Sequence, residues 1–180
     1  MLVLDDISVE RGGRTLVDGI NLTLGAGRLT AILGPNGAGK STLVKVASGE
    51  WRATRGRVLL NGEEIARIPP HELARRRAVV PQGTHLSFPF TVLGVVQLGM
   101  SVPGFDLEVD AGPALDALED VGLAGFEARL FTELSGGERQ RVHLARALCQ
   151  LDASPVREVA SKALLLDEPT ASLDPAHQPI

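Results

Sequence analysis

The octapeptide Gly34-Pro35-Asn36-Gly37-Ala38-Gly39-Lys40-Ser41 constrains this chain more than any other stretch of it. It fits the pattern G-x-x-x-x-G-K-[ST], in which glycines let the backbone wrap closely around a phosphate. Before it, Leu29-Thr30-Ala31-Ile32-Leu33 is an apolar, β-branched run that predicts a buried strand. After it, Ser41-Thr42-Leu43-Val44-Lys45-Val46-Ala47 predicts a helix. Strand, loop and helix in that order gather N–H dipoles at a helix N-terminus, which is an anion site. Lys40 adds a full charge for β- and γ-phosphates, and the Ser41 hydroxyl suits Mg²⁺. A Gly-rich turn that merely precedes Lys-Ser would not explain the flanking strand and helix. The motif therefore predicts nucleotide binding, with Thr42 closing the cradle.

Composition narrows the partners. The 180 residues suit one domain with a core of its own. Net charge is −4, and Lys40, Lys45 and Lys162 are the only lysines among 18 basic residues. A nucleic-acid binder would carry a basic excess on one face, so none is expected as a partner. The run Arg75-Arg76-Arg77 reads as a solvated helix end. A single cysteine, Cys149, excludes an internal disulfide and suits a reducing compartment. Its neighbours Leu148 and Leu151 mark it as a small core residue. No run approaches the roughly 18 apolar residues of a membrane span, and the first residues do not form a signal peptide. A cytosolic protein that can dock on something membrane-bound is expected.

Periodicity fills in the frame. Residues 2–10 and 14–24 read as two strands around a Gly12-Gly13 turn. Residues 57–60 form a strand entering an Asn61-Gly62 turn. A short helix starts at Pro69-Pro70, and Ala78-Val79-Val80-Pro81 is strand-like. From Thr91 to about Glu133 the pattern is helical, with Leu115, Leu118 and Val121 on one face, and Gly and Pro cut it into short pieces. Residues 136–150 predict a strong helix, and Ala163-Leu164-Leu165-Leu166 a fully buried strand. Alternating strands and helices predict an α/β class: a parallel-sheet core, antiparallel N-terminal strands and a helical insertion at about 83–133.

Two further clusters carry chemistry. Asp167 and Glu168 end the apolar strand, the end of an open α/β sheet where ligands bind. Asp167 suits Mg²⁺, and Glu168 suits polarising an attacking water. Ser135-Gly136-Gly137-Glu138 opens the long helix. Ser135 as N-cap with Glu138 as its partner is a capping box. Two consecutive glycines exceed what a cap requires and permit close approach of a ligand.

Taken together and in order, these motifs resemble the ATP-binding subunits of ABC transporters over essentially the whole chain. Gly34 to Ser41 corresponds to the Walker A loop and Gln82 to the Q-loop. Leu134-Ser135-Gly136-Gly137-Glu138 corresponds to the signature motif, and residues 164–168 to Walker B with its catalytic glutamate. Ser172-Leu173-Asp174 corresponds to the D-loop. The resemblance implies a P-loop NTPase core with a helical subdomain at about 83–150, ATP and Mg²⁺ as ligands, and a head-to-tail homodimer. ATP would lie between one chain's Lys40 loop and the other's Ser135, Gly136, Gly137 and Glu138, with Asp174 near the seam. Gln82 would touch Mg²⁺, alongside Ser41 and Asp167, and join Glu168 in coupling hydrolysis to a membrane permease. A periplasmic binding protein would complete the system at the inner membrane, with this subunit peripheral on the cytoplasmic face.

Gly49-Glu50, the run from Ala74 to Gln82, Leu86-Ser87-Phe88-Pro89-Phe90-Thr91-Val92 and Ala176-His177-Gln178 resemble haem (haemin) importer ATPases most. Ferric-siderophore or vitamin B12 importers, a soluble ABC protein, or an inactive fragment are the alternatives. Two departures stand out. Arg11 occupies the place where the family has an adenine-stacking aromatic, so the guanidinium would take over the base. The family also continues beyond Ile180 to a strand bearing a switch histidine, which has no counterpart among His71, His85, His143 and His177. The chain is expected to stop before that strand.

Overall fold

A computed structural model describes residues 1–82, 88–100, 111–152 and 161–167. β1 (Leu2–Arg11) and β2 (Arg14–Leu24) form an antiparallel hairpin. At its tip Gly12 and Gly13 have φ of 56° and 71°, the left-handed pair that matches the twist of such strands. Alternation along β1 turns Leu2 and Leu4 inward, then slips between Leu4 and Ile7. Asp6, at φ 51°, absorbs the slip, so Ile7 and Val9 are again buried. α1 (Lys40–Ala47) follows, then β3 (Arg55–Leu60) and β4 (Glu63–Glu64). These strands make one sheet in the order β2-β1-β3-β4. α2 (Pro70–Arg76) starts on a proline, whose missing N–H costs nothing in a first helical turn.

A second sheet holds two parallel strands, β5 (Arg77–Val80) and β6 (Ala163–Leu166). The Asp167 N–H donates to the Val80 carbonyl at 3.0 Å where they end. Between lie α3 (Val92–Gln97), α4 (Gly112–Asp120) and α5 (Gly136–Asp152).

The chain divides into two compact units. The first, Met1–Arg77 with Glu158–Leu165, has a core of Leu2, Leu4, Ile7 and Val9 from β1, Val58 and Leu60 from β3, and Leu43 and Val46 from α1. The second, Ala78–Arg157 with Leu166–Ile180, is helical in its core. Val92, Val95 and Val96 of α3 meet Ala114, Ala117 and Leu118 of α4 and Val142, Ala145 and Cys149 of α5, with Phe131 among them. Fully burying side chains of the Val, Leu or Phe kind contributes about 1.5–3 kcal/mol each. Gly99 lets the short turn after α3 lie against α5, since a Cβ there would come within 2.3 Å of the Arg146 carbonyl oxygen.

Three sequence expectations differ from the structure. Residues 29–33 form no strand, and Leu29 and Leu33 are 96% and 89% exposed. An apolar run becomes a strand only where a neighbouring backbone supplies a ladder, and among the described residues none flanks it. β6 is half-buried rather than fully buried, and among the described residues β5 is its one neighbour strand. Leu115 is 41% exposed, because the buried face of α4 runs through Ala114, Ala117 and Leu118, the i, i+3, i+4 set.

Candidate functional site

In the first unit the octapeptide forms a tight loop. The Ala38 N–H donates to the Pro35 carbonyl at 3.2 Å, and α1 begins directly after Gly39. Gly39 has φ 88°, and a Cβ there would lie 2.6 Å from Val17 Cγ1 and 2.7 Å from the Leu16 carbonyl oxygen. Both conformation and space therefore demand glycine, and β2 fixes where α1 starts. No side chain caps α1, and no acidic residue stands in its first turn. Its N-terminal amides retain the partial positive charge that suits a phosphate.

Lys40 is turned back into the loop. Its Nζ donates to the Gly34 and Pro35 carbonyl oxygens, each at 2.8 Å. An ammonium has three protons. The residue thus holds the loop's curvature with two of them. Ser41 and Thr42 follow on α1, half-buried.

The second unit holds Ser135, Gly136, Gly137 and Glu138 at the start of α5, and the capping box is present. The Ser135 N–H and hydroxyl both donate to Glu138 Oε2, at 2.8 and 2.7 Å. The Glu138 N–H donates back to Ser135 Oγ at 3.3 Å, and the Arg139 N–H to the Ser135 carbonyl at 2.9 Å. These serine bonds, with Arg129 as a lesser cause, hold the Glu138 carboxyl below its ordinary range. Arg129 Nη1 lies 3.8 Å from Glu138 Oε1, and its guanidinium stacks over Phe126 at 4.3 Å. Arg139 donates to the Thr132 carbonyl at 2.7 Å, bracing the approach to the turn.

Also in this unit, Asp167 is buried at the end of β6, and Gln82 is exposed just past β5. Glu168 and Asp174 lie outside the described residues. His143 on α5 is buried, and neither ring nitrogen has a hydrogen-bond partner among the described residues. Its ring stands edge-on to Phe131 at 5.2 Å. Burial, reinforced by the Arg146 charge, pushes its pKa down to about 4. Burial also raises the Cys149 thiol to about 11, with Asp152 adding to the shift. A thiol so poorly ionised is packing material, as its neighbours predict.

Sequence reading missed one arrangement. Arg11, the candidate for holding a base, sits over Trp51, its guanidinium carbon 3.6 Å from the ring centroid, and Lys45 Nζ approaches the same ring at 4.8 Å. One face of the guanidinium is thus already covered. Forty residues separate the two partners, and no local pattern announces the pair. Among the described residues no helix is long and apolar enough to cross a membrane.

Residues 17–171 match the ABC transporter family. Over 178 residues, 99% of the chain, it is 50% identical to the hemin import ATP-binding protein HmuV of Rhizobium meliloti (strain 1021). The chain spans 68% of that relative's length. Among solved structures, cbiO1 from Clostridium perfringens, part of the ABC transporter complex cbiONQ, aligns with a TM-score of 0.79 at 29% identity. That alignment covers 97% of this chain and 68% of that one. The dimeric bacterial ABC transporter cassette MJ0796 aligns at 0.77 and 27% identity, over 97% and 76%.

Proposed function

Because the chain belongs to the ABC transporter family of ATP-binding proteins, we propose that it hydrolyses ATP to drive haem import. The observation that carries the cargo is the 50% identity, along nearly the whole chain, to a protein named for hemin import. Two copies pair head to tail. ATP lies between the loop from Gly34 to Thr42 of one copy and Ser135, Gly136 and Gly137 of the other, with Asp174 near the seam. The dimer rests on the cytoplasmic face of the inner membrane against two permease subunits, which a periplasmic binding protein supplies.

Lys40 and the N-terminal amides of α1 hold the β- and γ-phosphates. Glu168 accepts a proton from a water whose oxygen bonds to the γ-phosphorus while the bond to the β–γ bridging oxygen breaks, releasing ADP and phosphate. Ser41, Gln82 and Asp167 are oxygen donors of the kind Mg²⁺ takes, and Mg²⁺ there would neutralise charge on the β- and γ-oxygens.

The test is growth of a strain lacking this gene, with haem as its iron source. Restoration by the parent gene and failure of Lys40→Ala is the expected result. Rescue only with a ferric siderophore, or only of cobalamin-dependent growth, would replace haem as cargo. A purified parent without ATP turnover would remove the enzymatic reading.

A further inference from the structure

The box at Ser135 has a chemical consequence for any phosphate that approaches it. A hydroxyl carries one proton, and phosphate oxygens only accept. The Ser135 proton is already given to Glu138 Oε2 at 2.7 Å, and the same oxygen takes the Ser135 N–H at 2.8 Å. Both donors of the serine therefore serve one carboxylate oxygen. A carboxylate is a strong competitor, since hydrogen bonds to an ionised acceptor are about twice as strong as neutral ones. It also repels an arriving anion. Its second oxygen faces Arg129 at 3.8 Å, and that guanidinium is steadied by stacking on Phe126 at 4.3 Å. The carboxylate thus has a second seat beside the first.

We propose that Glu138 is a positioning residue that withholds the Ser135 hydroxyl until a phosphate arrives, then moves to Arg129 and frees the proton for the ligand. This rests on the ATPase reading above, and what it adds is a role for Glu138 and Arg129. With the carboxylate in its first seat the serine is held in place but spent. The turn is ordered beforehand, and the exchange sets how tightly nucleotide is held. The competition falls on KM for ATP rather than on kcat.

Steady-state ATP hydrolysis by the parent, Glu138→Gln, Ser135→Ala, the double variant and Arg129→Gln tests this, with thermal melting to confirm that each folds. A Gln amide keeps an acceptor for the Ser135 N–H but holds the hydroxyl less strongly. Glu138→Gln is expected to lower KM about tenfold, and the gain to vanish in the Ser135→Ala background. Arg129→Gln is expected to raise KM, because the carboxylate loses its second seat. An unchanged or raised KM in Glu138→Gln would make the box purely structural and overturn the proposal. A full tenfold gain that persists without the Ser135 hydroxyl would reduce the effect to charge removal and overturn it equally. Absence of turnover in the parent would instead bring down the ATPase reading, and the gate with it.

Discussion

The loop before α1 and the turn before α5 solve one problem by opposite means. Each is a helix N-terminus whose first amides lack intrahelical partners. At α5 the partners come from three residues away: Ser135 and Glu138 satisfy each other, and the helix behind them is anchored in a core of Val142, Ala145 and Cys149. At α1 no side chain caps the helix. The loop is shaped instead by Gly39 pressed on Leu16 and Val17, more than twenty residues upstream, and by Lys40 bonding the loop's own carbonyls. A cap built from neighbours forms wherever those neighbours occur. A cradle built from distant packing depends on everything that positions β2.

The comparison breaks first at Lys40. Lys40→Ala removes the charge proposed to meet the phosphates as well as two bonds that curl the loop, so ATP affinity is expected to fall at least about a hundredfold. Isothermal titration calorimetry reads this directly. Affinity near the parent's would mean that the loop's shape and charge come from elsewhere.

Gly39→Ala comes next. A methyl at φ 88°, pushed toward Val17 and the Leu16 carbonyl, should cost about 3 kcal/mol of stability in thermal melts. A cost under about 1 kcal/mol would show that β2 does not set the start of α1.

The third expectation concerns His143 in the other unit. Folding lowers its pKa to about 4 from 6.5, so between those values the unfolded chain binds the extra proton. Stability from this group is complete above pH 6.5, is lost as pH falls toward 4, and changes no further below. The loss should be about 3 kcal/mol. His143→Phe should flatten that part of the pH profile in urea titrations, and an unchanged slope would place the titrating group elsewhere.

The smallest effect is at Leu29. At 96% exposure, Leu29→Ser should change stability by less than about 0.5 kcal/mol. A loss above 2 kcal/mol would show that residues 29–33 are buried in the working protein, and the contrast between the two helix starts would narrow.

What the sequence revealed follows the same division. Where a few adjacent residues decide the outcome, sequence and structure agree: the Gly12-Gly13 hairpin, the helix expected at 41–47, the Ser135–Glu138 box and the burial of Cys149. The strand expected at 29–33 needed partners that apolar character alone does not supply. On the expected face of α4, Leu118 is buried and Val121 packs on the core, but Leu115 is exposed because Ala114 and Ala117 complete the stripe. The stack of Arg11 on Trp51 joins the hairpin's end to the far end of α1 and left no trace at any short spacing. Glu168 and Asp174 rest on the resemblance alone, since they lie outside the described residues.

That stack makes the protein its own optical instrument. The chain has one tryptophan and no tyrosine, so its ultraviolet emission comes from a single indole in the first unit. That indole sits under Arg11 and beside Lys45, cations whose withdrawal would change its colour and yield. The second unit has no such fluorophore among its described residues, but it is rich in helix and dominates a circular dichroism signal. Emission and ellipticity recorded on the same unfolding sample therefore follow the two units separately, without a label. Whether the two curves coincide measures how far the cradle and the turn are coupled.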